Sequence, residues 1–143
     1  RFYYYTRDEE TPLFEGVYDA VKELKRLGFN LAVATGKGRR GLNKSLEVTG
    51  LKAFIDATRT VDECFSKPHP QMLDDLMDEL VALPERTIMV GDTSFDLQMA
   101  KNAGVDSVAV TYGAHPLENL LPHQPLAHFD EFKKLNDWLL ANA

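Results

Sequence analysis

Two carboxylates stand four residues apart in Gly91-Asp92-Thr93-Ser94-Phe95-Asp96. Hard oxygen donors of this kind suit a magnesium ion, and the glycine before Asp92 allows a close backbone approach. A plainer reading is that Asp92 or Ser94 caps a helix, as Asp and Ser commonly do. Capping explains one such residue, but not a second Asp in the first turns. In Ala32-Val33-Ala34-Thr35-Gly36-Lys37 a hydroxyl sits beside a glycine just after an apolar run. With backbone N–H groups at a helix start, that hydroxyl can bind an anionic oxygen; otherwise Thr35 caps the next helix and Lys37 is solvated. A third cluster, Ser66-Lys67-Pro68-His69-Pro70, presents Lys67 from a loop stiffened by two prolines. An ammonium held there can neutralise a phosphate or a carboxylate. His69 reads as structural or solvent-facing rather than as a base.

The elements that must position these clusters follow from periodicity. Val17, Tyr18, Val21, Leu24 and Leu27 recur at helical spacing, and Gly28 supplies the stop. Residues 29–34 form a short apolar run expected to be a buried strand, and 39–49 suit a helix closed by Gly50. Residues 53–56 are a weaker strand candidate. Pro70 opens a helix bearing Leu73, Leu76, Met77 and Leu80 on one face. Residues 87–90 read as a strand, about 95–103 as a helix stopped by Gly104, and 105–111 as a strand. A last helix places Phe132, Leu135, Trp138 and Leu139 in register. Helices alternating with short, almost wholly apolar strands imply an α/β fold, a doubly wound parallel sheet with helices on both faces. Ligands of such sheets bind beyond the carboxyl ends of the strands. Thr35-Gly36-Lys37 and the 91–94 cluster both fall there, as candidates for one shared site.

At 143 residues and 44% hydrophobic, the chain can bury one core. Sixteen basic against 22 acidic residues give a net charge of −6. That balance argues against nucleic acid or an anionic membrane as the main partner, but not against a phosphorylated small molecule bound by local groups. Cys64 is the single cysteine and cannot form an internal disulfide, which fits a reducing, cytoplasmic setting. No apolar run approaches the ~18 residues of a membrane span.

Together and in this order, the three clusters resemble the haloacid dehalogenase superfamily, specifically its phosphoglycolate-phosphatase-like members. The resemblance includes Leu13-Phe14-Glu15-Gly16-Val17 and Ala103-Gly104-Val105. It implies a Rossmann-like hydrolase core and a magnesium-dependent phosphatase acting on a small phosphorylated metabolite. Thr35 would hydrogen-bond the transferred phosphoryl group, with Gly36 beside it. Lys67 would offset charge on the nucleophile and phosphoryl oxygens. Asp92 would bind magnesium, with Asp96 a second carboxylate acting through water.

The family reaction starts from an Asp in a pattern like Asp-x-Asp-Gly-Thr, which forms an aspartyl-phosphate. This sequence contains no such pattern; Asp8 and Asp56 lack its context. Residues 1–12 read as the tail of a cap domain and 13–143 as the core, with the first strand and its nucleophile belonging to a longer protein. A gap is therefore expected between the strands ending at Thr35 and Gly91, inviting poor folding or self-association. A non-catalytic phosphate- or metal-binding module, or an inactive fragment, is the alternative reading. A phospho-acceptor signalling domain fits less well, because there the acidic pair comes first and the lysine late.

Overall fold

The computed structural model describes residues 2–3, 17–111 and 115–142. Six strands form one sheet: β1 (Phe2–Tyr3), β2 (Leu31–Ala34), β3 (Ala57–Arg59), β4 (Ile88–Gly91), β5 (Asp106–Val110) and β6 (Ala127–Phe129). The helices between them are α1 (Val17–Arg26), α2 (Arg39–Thr49), α3 (Gln71–Leu80), α4 (Ser94–Asn102), α5 (Leu117–Leu120) and α6 (Phe132–Asn142). Every strand pairing is parallel, in the order β3-β2-β1-β4-β5-β6. Successive strand residues point to opposite faces, yet all four residues of β2 are buried. Both faces of the sheet are therefore covered, as the apolar runs require.

The helix limits follow local chemistry. Helix α2 ends where Gly50 adopts φ 73° and donates its N–H to Glu47 O; the left-handed region suits a residue without Cβ. Helix α3 starts after Pro70 and buries Met72, Leu73, Leu76 and Met77. In α6, Leu135 and Leu139 enter the core, while Phe132 and Trp138 pack against it half-buried. One continuous core joins α1, β2, α2, α3, β4, α4, β5 and α6.

Two expectations are corrected. The strand expected at 53–56 lies directly after it, at 57–59: Leu51–Phe54 is a 3₁₀ turn with Leu51 fully buried and Phe54 edge-on to Tyr18. Asp56 then leads into β3, its N–H on Leu31 O at 2.7 Å and its Oδ2 accepting from Leu31 N at 2.8 Å. That pins β3 beside β2 and gives Asp56 a place in the sheet. The second correction concerns the central gap. Phe2–Tyr3 enter its amino end, pairing with Leu31 and Ala32 on one side and Ile88 on the other. Two strands with unpaired backbone groups attract an extended segment, and aromatic residues suit a sheet. Of the residues read as a cap tail only these two are described, and residues 13–16 of the expected first helix lie outside the described residues.

The topology marks a place for a ligand. Strand order runs outward from β1 through β2 to β3, then reverses to β4 on the other side. The crevice at the carboxyl ends beside such a reversal is the general ligand position of open α/β sheets.

Candidate active site

The turn after β4 is held by its own side chains. Thr93 is the N-cap of α4, and its Oγ1 accepts from Asp96 N at 3.2 Å. Asp96 Oδ2 in turn accepts from Thr93 N at 3.1 Å, from Asp92 N at 3.2 Å and from the Thr93 hydroxyl at 3.0 Å. This is a reciprocal capping box. The cap is thus Thr93 rather than Asp92 or Ser94. The second Asp of the cluster, which capping seemed unable to explain, is the reciprocal half of it. Thr93→Ala removes one side of the box and should cost about 1 kcal/mol. The check is a lower urea midpoint at unchanged m-value.

Asp96 has a further partner. Lys67 Nζ donates to its Oδ1, forming an ion pair in which Asp96 is fully buried and the Lys67 side chain 10% exposed. The loop carrying Lys67 has a cis Lys67–Pro68 bond, and Asn102 at the far end of α4 donates to Pro68 O at 3.0 Å. Gly91 makes this arrangement sterically possible. A Cβ there would stand 2.3 Å from Asp96 Cβ and 3.0 Å from its Cγ. The close approach inferred from that glycine is real, and the group approaching is the Asp96 side chain.

Asp92 lies at the end of β4 and is 3% exposed. Its carbonyl accepts from His115 N at 3.1 Å, and His115 Nδ1 accepts from Ser94 N at 3.0 Å. His115 escapes sequence reasoning, since no periodicity or motif ties it to residues 21 positions earlier. Its place after the end of β5 is the one available signal.

Thr35 and Gly36 stand on the other side of β1. Two strand spacings separate β2 from β4, about 10 Å. Thr35 is fully buried and its Oγ1 accepts from Lys37 N at 3.1 Å, closing a small turn. The N-cap of α2 is Gly38, with no side-chain cap of its own. Asp62 reaches across from the loop after β3 to accept from Arg39 N at 2.6 Å. Nothing lies within 4 Å of a Cβ added at Gly36, so packing does not demand glycine there. Arg39 anchors the start of α2 through Thr58 and Glu63. Burial pushes the Glu63 carboxyl up, but Arg39 and Thr60 more than offset this and hold it below the usual carboxylate range. His69 Nδ1 accepts from Gln71 N, and its ring lies 4.7 Å from that of Phe65.

The structure therefore brings Lys67, Asp92 and Asp96 together and sets Thr35 and Gly36 across the sheet centre. Among the described residues no group of three His, Cys, Asp or Glu side chains is gathered to hold a metal. Magnesium does not require one, since it keeps several waters and takes one or two carboxylates. Asp92 fits that demand. Asp96, with both oxygens engaged by the turn and by Lys67, is left to act behind it.

The chain is similar to known proteins in sequence and fold. Residues 1–110 match the model of the haloacid dehalogenase-like hydrolase family. The chain belongs to this family. It is 38% identical over 106 residues to pyrophosphatase PpaX of Bacillus mycoides (strain KBAB4), covering 73% of this chain and 49% of that protein. Against the probable phosphatase IndB of Dickeya dadantii (strain 3937) it is 38% identical over 124 residues, 86% of this chain and 54% of that protein. The chain thus spans about half the length of these relatives. Among solved structures, a predicted phosphatase from Clostridium acetobutylicum superposes with a TM-score of 0.82 at 26% identity, over 90% of this chain and 60% of that one. The haloacid dehalogenase-like protein SP0104 from Streptococcus pneumoniae shares the fold, with a TM-score of 0.79 at 23% identity over 92% of this chain and 61% of that one. No helix of the described residues is long and apolar enough to cross a membrane.

Proposed function

We propose that this chain is the phosphoryl- and magnesium-binding part of a phosphatase acting on a small phosphorylated metabolite or on pyrophosphate. The observation that carries this reading is the charge of the cluster after β4. Lys67 pairs with Asp96, and Asp92, whose backbone N–H Asp96 holds, adds one further formal negative charge at the carboxyl end of the sheet. Such a cluster repels a phosphoryl group until a divalent cation joins it. Magnesium, when bound, screens the phosphoryl oxygens and neutralises charge that develops on them. Asp92 holds that ion, and Asp96 fixes Lys67 so that the ammonium faces the same space. Thr35 and the backbone around Gly36 bind the phosphoryl oxygens from the opposite side.

The attacking carboxylate is assigned to a part of the whole protein outside this sequence, which has no Asp-x-Asp-Gly-Thr pattern. It would attack phosphorus as the leaving oxygen departs, and water would then release phosphate from the acyl phosphate. The names of the relatives, pyrophosphatase and phosphatase, support this class. The single cysteine, Cys64, supports a cytoplasmic setting. The test is phosphate release by the whole protein from inorganic pyrophosphate and a panel of small phosphomonoesters. Release that stops with EDTA and returns with magnesium supports the reading; no release, or release indifferent to EDTA, refutes it.

A further inference from the structure

We propose that His115 is a positioning residue for Asp92, a role that rests on reading Asp92 as the magnesium carboxylate. His115 makes one bond to each side of the cap residue. Its backbone N–H reaches Asp92 O at 3.1 Å, and its Nδ1 takes the Ser94 N–H at 3.0 Å. The capping box leaves Ser94 N–H aside: Thr93 Oγ1 serves Asp96 N, and Asp96 Oδ2 serves Asp92 N and Thr93 N. A helix start carries donors that need partners, and here the partner comes from 21 residues away, on the loop after β5. The ring of Phe95 lies edge-on at 6.0 Å, holding the imidazole on its other side.

The consequence is geometric. The Asp92 carboxylate hangs from a backbone fixed by Asp96 through its N–H and by His115 through its carbonyl. Without the imidazole, the Ser94 N–H turns to water, and the loop whose backbone N–H holds Asp92 O loses its side-chain anchor on the turn. Because Nδ1 accepts, the ring proton of the neutral imidazole sits on Nε2. An asparagine at this position carries its Oδ1 at the same number of bonds from the backbone, so it can take the Ser94 N–H in place of Nδ1. Alanine cannot.

The experiment compares wild type, His115→Ala, His115→Asn and Asp92→Asn in the whole protein. Magnesium affinity is measured by calorimetry without substrate, alongside kcat and KM, well below each measured melting midpoint. Groups that orient a metal ligand typically govern affinity or turnover by about 10–100-fold. His115→Ala is expected to weaken magnesium binding and kcat within that range with little change in KM, and His115→Asn to recover most of both. If His115→Ala binds magnesium as wild type does while Asp92→Asn does not, the proposal is overturned. It is equally overturned if asparagine at 115 is as impaired as alanine. If Asp92→Asn itself still binds magnesium and turns over, the assignment of the site fails instead.

Discussion

Gly91→Ala should dismantle the site from inside. The added methyl would lie 2.3 Å from Asp96 Cβ, and neither partner can yield cheaply. Gly91 is the last residue of β4, paired with Ala109 of β5. Asp96 is fully buried and held by Thr93, Asp92 and Lys67. Forcing atoms into a packed region commonly costs 1–3 kcal/mol, and a contact this close belongs at about 3. The melting midpoint should fall by roughly 10 °C. Displacing Asp96 also moves Lys67 and the turn bearing Asp92, and a misplacement of about 1 Å can cost about 100-fold in turnover. Gly36→Ala is the control for stability, since a Cβ there meets nothing within 4 Å. A Gly91→Ala protein as stable as Gly36→Ala and as active as wild type would mean that the β4–α4 turn is looser than its hydrogen bonds indicate.

Lys67→Met should separate the two duties of the lysine. It leaves the Asp96 carboxylate fully buried, with its turn donors but without its ammonium partner. Removing one member of a buried ion pair costs about 3–5 kcal/mol, because the other charge stays behind. The turn donors that remain place this case at the lower end. Adding Asp96→Asn removes the stranded charge and should recover most of the lost stability, since contacting residues couple strongly. Turnover should stay lost in both variants, because neither restores a positive charge beside the phosphoryl group. Recovery of turnover in the double variant would show that Lys67 matters only as the partner of Asp96.

Much of this architecture is legible in the residues. The limits of α2 are written in Gly38 and Gly50, and the apolar face of α3 emerges as read after Pro70. The parallel sheet follows from runs such as Leu31-Ala32-Val33-Ala34, too apolar for a sheet with one wet face. What escaped is short or tertiary. Strand β6 is three residues at a sheet edge, Ala127 and Phe129 half-buried and His128 exposed, without the pattern that marks longer strands. Strand β1 exists because the sheet centre needs a partner, a demand set by β2 and β4 rather than by residues 2–3 themselves. The site divides the same way. Asp92, Asp96 and Lys67 were visible as residue types at telling spacings. Their order of contact was not: Asp96 faces its own turn and Lys67, and Thr93, not its neighbours, is the cap. His115 became visible only when β5 was seen to end beside β4.

The central claim is that Asp92 holds the magnesium ion on which phosphate release depends. The most direct measurement is the rate of phosphate release by wild type and Asp92→Asn whole protein across a magnesium titration. Asn keeps the shape of Asp92 and removes its charge. The account expects magnesium-dependent release in wild type and a loss of about 100–1,000-fold in Asp92→Asn, the range for removing one group that stabilises charge developing in a transition state. Release by Asp92→Asn at the wild-type rate, with the same magnesium dependence, would contradict it.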